Sequence, residues 1–231
     1  MMDEESVFDF NFWPSFADLM LALVLILVLV LFLVTAVITL GTVNLSQVEK
    51  NQSDMINSIA SSYGGKTKKL RENVFGISIT APDTYDVEIR NEPTLQEITF
   101  RDNVLFRSDD YRLNVRGEDI LRIIGAALKQ QLPLIKEIQI QGHADPDTTT
   151  RFPSNTHLAA MRAMEVVKFL QESVGIDPAE HLMSATSFGE FKPVQRSEDD
   201  KYSRDKLREH NSTAELKGRN RRIELLLFYR L

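Results

Sequence analysis

The sequence predicts a single N-terminal transmembrane helix followed by an α+β domain in which helices pack on one face of a mixed sheet. Three observations predict it. Residues 19–40 are apolar and carry no charge; residues 86–231 contain short stretches in which apolar and polar residues alternate; and between these lie two longer stretches with apolar residues at helical spacing.

Twenty-two residues from 19 to 40 make a helix of about 33 Å, roughly the hydrocarbon thickness of a bilayer. The N-terminus reads Met-Met-Asp-Glu-Glu and has no Lys or Arg before Lys50, whereas a secretory signal opens with positive charge, so an uncleaved anchor is expected. Trp13 suits the water interface and Pro14 the first turn of a helix. Five residues further on, roughly 7 Å deeper, stands Asp18. Ser15 and Ala22 flank it at i−3 and i+4, a small-residue face that a second helix could approach closely. Two readings stay open: an intramembrane ionisable group with a function, or a first-turn Asp favoured by the helix dipole and wetted by headgroup water.

Charge is unevenly divided. Residues 1–49 hold six acids and no bases, the remainder 27 of each, so the net charge of −6 belongs to the anchor end. A balanced main domain gives no electrostatic reason to expect nucleic acid as a ligand. The absence of cysteine excludes disulfides and thiolate metal sites. Four regions follow: an acidic tail 1–13, a transmembrane helix 14–40, a polar stalk 41–85 rich in Asn, Gln and Ser, and a folded domain 86–231. In the stalk, Gly64-Gly65 breaks any continuous helix and residues 66–74 could form a short one.

In the folded domain, Val87 and Ile89, then Ile98 and Phe100, alternate with polar residues on either side of a break at 91–94 and predict a hairpin. Residues 118–132 place Ile120, Leu121, Ile123, Ile124, Ala127 and Leu128 on one helical face before Pro133. A strand carries Ile138 and Ile140 up to Gly142, followed by a loop 145–154 with two prolines. A second helix, 155–174, presents Leu158, Met161, Val166, Phe169 and Leu170 and stops at Gly175. Residues 183–188 and 223–229 are further strands, separated by a charge-rich insertion at 192–217.

Gly142-His143-Ala144-Asp145, Asn155-Thr156-His157-Leu158-Ala159-Ala160-Met161-Arg162-Ala163 and Gly218-Arg219-Asn220-Arg221-Arg222-Ile223-Glu224 resemble, in order, three signatures of OmpA-like peptidoglycan-binding domains, with Val104-Leu105-Phe106 and Leu113 similar to the opening of that domain. The resemblance implies a ligand that is a cell-wall stem peptide, whose diaminopimelate presents carboxylates and an ammonium. It implies that Asp145 helps hold the amino-acid head, that Arg162 grips a carboxylate through its planar fork, that Asn155 and Leu158 shape the pocket, and that His143, a position where His recurs in the family, is a strand-end structural or ligand-side residue. Arg221 and Arg222 match the Asn-Arg-Arg segment of the family, and Arg222 is expected to be partly structural. The chain departs from the family in having Ala144 where Thr is usual, Pro146-Asp147-Thr148 where a Gly is usual, and a loop about two residues longer before Arg162.

Trp13-Pro14-Ser15-Phe16-Ala17-Asp18-Leu19-Met20 resembles the single-span stator subunits of ion-driven motors, the MotB proteins of flagella among them, and in its wording is most similar to the ZorB subunits of Zorya antiphage systems. The resemblance implies an ion-carrying Asp18 and a multi-pass MotA- or ZorA-like membrane partner. It implies two copies of this chain within the complex, an N-terminus in the cytoplasm, a single pass through the bacterial inner membrane and a periplasmic domain fixed to peptidoglycan. Burial disfavours the ionised form of a carboxylate, so such a group can take up and release a proton, the expected transported ion. No cofactor, metal or enzymatic activity is expected: His143, His157, His181 and His210 lack the two-His helical spacing of zinc hydrolases. The rival expectations are a passive tether between membrane and wall and a flagellar-type stator.

Overall fold

One helix, α1 (Trp13–Ser62), carries the apolar segment and continues well beyond it, for 50 residues in all. The computed structural model describes residues 12–62, 67–78, 85–197 and 201–230, so the expectations for the acidic tail before residue 12, for Gly64-Gly65 and for residues 198–200 lie outside the described residues. The chain divides into two compact units, Met1–Ser46 and Gln47–Leu231.

In the first unit the helix is long and apolar enough to cross a membrane, and none of its most apolar stretch is buried by protein. A helix apolar on every side needs lipid or a protein core around it. Its hydroxyls do not disturb this: Thr35, Thr39 and Thr42 donate to the carbonyls of Leu31, Thr35 and Thr39 at 2.7, 2.8 and 2.9 Å, so each is satisfied within the helix. Gly41 does not interrupt the helix.

The second unit begins within α1. Val48, Asn51, Gln52, Met55, Ile56, Ile59 and Ala60 are buried, at the three-and-four spacing of one helical face. Four of them, Val48, Met55, Ile56 and Ile59, join the main hydrophobic core. Residues 47–62 are therefore part of the folded unit, which corrects the expected stalk and the domain start at 86. The short helix expected at 66–74 is instead a hairpin, β1 (Thr67–Arg71) and β2 (Val74–Ile77), turning through Asn73 at φ 58. The strands β3 (Val87–Asn91) and β4 (Leu95–Arg101) form the expected hairpin. A short α2 (Asp102–Leu105) leads to α3 (Val115–Gln131), which starts three residues earlier than expected because the Asn114 side chain caps it, accepting from Gly117 N at 2.7 Å. Then come β5 (Ile135–His143), α4 (Asn155–Phe169) and β6 (Leu182–Gly189). A wider π-helical turn, Leu170–Val174, prolongs α4 before Gly175 at φ 79 stops it. The charge-rich insertion contains α5 (Arg204–Glu209) and α6 (Ala214–Asn220), and β7 (Arg222–Tyr229) follows.

The sheet order is β1-β2-β3-β4-β7-β5-β6, antiparallel except for β5 and β6, which α4 connects in parallel. Alternation puts one row of apolar side chains across it: Ile89 faces Ile98, Ile98 faces Leu225, and Leu225 faces Ile140, all with no exposure. Ile120, Leu121, Ile124 and Leu128 of α3, Ala163 and Val166 of α4, and Leu170 of the turn that prolongs it belong to the same core. The second half of α1 is fixed to the β3–β4 hairpin by buried amides. Gln52 Nε2 donates to the Glu92 and Leu95 carbonyls at 2.9 and 3.3 Å; Gln96 Nε2 donates to Asn91 Oδ1 at 2.8 Å and to the Gln52 carbonyl at 3.3 Å; and the Tyr229 hydroxyl donates to Gln96 Oε1 at 3.2 Å.

One close approach positions the site. A Cβ at Gly142 would lie 2.1 Å from the backbone carbonyl oxygen of Ala159, so β5 and α4 touch through their main chains. Gly142→Ala should therefore force strand and helix apart and cost about 1–3 kcal/mol, as overpacking does. A thermal melt of the full chain in detergent checks this, and an unchanged midpoint would contradict the contact.

Candidate functional site

The charged residues picked out by sequence gather where β5 ends, α4 begins and β7 starts. Asp145 stands two residues beyond β5 with a side chain only 6 % exposed, and its Oδ2 is ion-paired with Arg221 Nη1. Its Oδ1 accepts from Asp147 N at 3.1 Å, and its carbonyl accepts from Asn155 Nδ2 at 2.9 Å. Asn155, first residue of α4, thus fixes the strand end rather than standing free. Leu158 is buried, a packing residue one turn along the same helix.

Arg162 lies deeper. Its side chain is 4 % exposed and is already engaged on every side: Nη1 is 3.0 Å from Asp102 Oδ1, Nε donates to the Asp110 carbonyl at 2.8 Å, Nη2 donates to the Arg107 carbonyl at 3.4 Å, and the guanidinium lies 5.2 Å over the Phe106 ring. Burial pushes the Asp102 carboxyl above its usual range, and the charges of Arg162 and Arg221 oppose the rise. The backbone N–H of Asp102 donates to the Arg221 carbonyl at 3.0 Å, which links the two ion pairs. The fork of Arg162, expected to grip a ligand carboxylate, is paired with Asp102 in this structure. Arg221, which pairs with Asp145, is more accessible, its side chain 40 % exposed.

His143 is separated from this cluster. Alternation along β5 turns Gly142 towards α4 and His143 to the opposite face, where Nε2 lies 3.1 Å from Glu224 Oε2 and the ring stacks on Phe188. Burial holds the imidazole below its ordinary pKa against the pull of Glu224. Burial alone would raise the Glu224 carboxyl, but the hydrogen bond from His143 and the charge of Arg222 keep it well below the usual range. Arg222 donates to Glu224 Oε1 at 2.6 Å and to the carbonyls of Lys192 and Asn220, so it is structural, and His143 is buried beside the same carboxylate.

Two loops wall the cluster. In the loop 107–113, Asp109 adopts φ 51, and its carboxylate accepts from the hydroxyl of Thr149 and from both the N–H and the hydroxyl of Thr150 in the loop 145–154. The Thr149 hydrogen bond is the chief reason the Asp109 carboxyl sits below its usual range. Arg151 adds a bond to the Asp109 carbonyl at 3.1 Å, and on the other side Lys217 pairs with Asp147. Asp18 belongs to the first compact unit. It is the sixth residue of α1, exposed and in the second turn; among the described residues the first turn carries no acid. A dipole effect that fades within the first turn gives that carboxylate little support.

Residues 105–208 match the model of the OmpA family. The folded domain is OmpA-like. Among curated proteins the chain is similar to Motility protein B of Bacillus subtilis, 33 % identical over 137 residues that make up 58 % of this chain and 45 % of that protein. It is also similar to the uncharacterized protein YtxE of the same organism, 28 % identical over 132 residues, 56 % of this chain and 47 % of YtxE. The chain thus spans a little under half the length of the curated relatives it matches. Among solved structures, a MotB-like protein from Desulfovibrio vulgaris superposes with a TM-score of 0.60 at 19 % identity, covering 83 % of this chain and 99 % of that one. The periplasmic domain of Helicobacter pylori MotB superposes with a TM-score of 0.52 at 22 % identity, covering 69 % and 88 %. At these identities the likeness is one of fold. The chain thus pairs an apolar helix with an OmpA-like domain, and the structure adds Asp102 to the site residues that sequence had singled out.

Proposed function

We propose that this chain is the wall-anchored stator subunit of an ion-driven membrane motor. Asp18 carries the ion, a proton, against a multi-pass MotA- or ZorA-like partner; two copies of the chain serve each complex; and the OmpA-like domain holds them to peptidoglycan. The chain crosses the inner membrane once, N-terminus in the cytoplasm and domain in the periplasm, and the wording around Asp18 favours ZorB-like antiphage defence. The observation that carries this reading is the presence, in one chain similar to Motility protein B, of an acid in the second turn of an apolar helix and an OmpA-like domain with an acid and an accessible Arg side by side.

The chemistry of the wall site follows from Asp145 and Arg221. Diaminopimelate carries both an ammonium and carboxylates; the buried carboxylate of Asp145 suits the first and the exposed planar fork of Arg221 the second. With no ligand each satisfies the other, and the ligand substitutes an ion pair of its own for theirs. Arg162 keeps the walls in place from below. Arg221→Lys keeps the charge that pairs with Asp145 and removes the fork. We expect about tenfold weaker co-sedimentation of the full chain with purified diaminopimelate-type peptidoglycan and an unchanged melting temperature, tenfold being about 1.4 kcal/mol. Undiminished retention of this variant would take Arg221 out of the site.

A further inference from the structure

The loop 145–154, which begins with Asp145, is held from both flanks before any ligand arrives. On one flank Arg221 and Lys217 hold Asp145 and Asp147. On the other, one carboxylate does most of the holding: Asp109 Oδ1 accepts from the Thr149 hydroxyl, and Oδ2 accepts from Thr150 N at 3.3 Å and the Thr150 hydroxyl at 3.0 Å. Arg151 closes the arrangement by donating to the Asp109 carbonyl at 3.1 Å and lying 3.6 Å from Asp110 Oδ2. The opposite loop is itself anchored. Its base is pinned by a bridge between Phe106 and Leu113, and its Arg107 and Asp110 carbonyls accept from Arg162. Asp109 stands in the left-handed region, where Asp is among the few non-glycine residues that settle readily, so the turn that aims its carboxylate at the threonines suits this residue type.

We propose that Asp109, Thr149 and Thr150 form a clasp that positions the Asp145 loop for its ligand, making them affinity-determining residues of the wall site although none belongs to the Asp145–Arg221 pair. The physical reason is conformational entropy. A loop of some ten residues left free would have to be ordered each time a flexible stem peptide binds, and that cost would be subtracted from affinity. The clasp meets the cost on folding. It uses side-chain hydroxyls on exposed or half-exposed residues, so it can be broken without opening the core. Arg162 couples it to the buried charges, since the same loop that carries Asp109 supplies two of the acceptors of Arg162.

This inference rests on the peptidoglycan reading, and one comparison tests both separately. The double variant Thr149→Val with Thr150→Val keeps the branched shape and removes the hydroxyls, whereas Thr149→Ser with Thr150→Ser keeps them. The probe is a soluble diaminopimelate-containing muropeptide titrated into the full chain in detergent, with melting temperature and amide hydrogen exchange followed in parallel. The valine pair should bind about tenfold more weakly, with faster exchange across residues 145–151 and an unchanged melting temperature. The serine pair should bind like the unaltered chain. Equal affinity of the valine pair and the unaltered chain, or a fall in affinity that tracks a fall in melting temperature in both pairs, overturns the clasp. If the unaltered chain itself fails to bind the muropeptide, the wall reading falls, and the role of the clasp in binding falls with it.

Discussion

Arg162→Ala should destabilise the second compact unit by about 3–5 kcal/mol, the cost of leaving a buried charge without its partner. Asp102, 12 % exposed in its side chain, would lose the cation that Arg162 sets 3.0 Å away, and the Asp110 and Arg107 carbonyls would each lose a donor. Burial already pushes the Asp102 carboxyl towards its neutral form, so the variant should escape part of the penalty by taking up a proton, and its deficit should shrink as pH falls. The sign follows from linkage: a carboxyl raised above its unfolded value binds more protons in the folded state, so lowering the pH favours folding. Chemical denaturation of Arg162→Ala at neutral and mildly acidic pH measures both effects. The double variant Asp102→Asn with Arg162→Ala, which leaves a neutral amide instead of an anion, should recover a sizeable part of the loss. A single variant within about 1 kcal/mol of the unaltered chain would show that the pair carries no structural weight. The result also governs how wall-binding data are read. Arg162→Ala would lose retention on peptidoglycan through loosened walls even if Arg162 never touched the ligand, and for that reason Arg221→Lys is the sharper probe.

Asp18→Asn should abolish ion flux through the complex while leaving assembly intact. Asparagine reproduces the shape and hydrogen-bonding reach of the carboxylate and cannot titrate at any working pH. Each proton crossing a membrane at 100 mV supplies about 2.3 kcal/mol, several times thermal energy, so repeated transfers through one carboxylate can bias a mechanical cycle. The measurement is proton uptake by vesicles carrying this chain together with its multi-pass partner, beside a pull-down of that partner. Loss of flux with retained pull-down is expected. Flux equal to that of the unaltered chain would remove the ion-carrying role from Asp18 and favour a passive tether.

Much of the fold can be read from the residues because burial in it is periodic. Val87 and Ile89, Ile98 and Phe100, Ile138 and Ile140, and the apolar faces of α3 and α4 all fall where alternation or helical spacing puts them. The second half of α1 was illegible for a physical reason. Its buried face includes Asn51 and Gln52, whose amides are satisfied by the hairpin carbonyls and by Gln47, so polar residues occupy places where a hydrophobic count expects none. The β1–β2 hairpin hid in a short, lysine-rich stretch, since an edge strand needs little hydrophobicity and gains from charge. In the site, the neighbourhood of Asp145 and Asn155 was recoverable from the motif. The pairing of Arg162 with Asp102 joins residues 60 positions apart and leaves no periodic trace. For His143 the family motif left a structural and a ligand-side reading open, and only the pleat of β5, which sets the ring against Glu224, shows its surroundings.

The strand order has a consequence for how the domain is made. Among the described residues β4 and β5 meet only through β7, so the sheet stays in two pieces until β7 has docked. The apolar row across the sheet is complete only when Leu225 of β7 lies between Ile98 and Ile140, and such non-local pairing is slow to form. Docking of β7 is therefore the step at which both halves of the sheet become one surface, since Leu225 joins Ile98 on one side to Ile140 on the other.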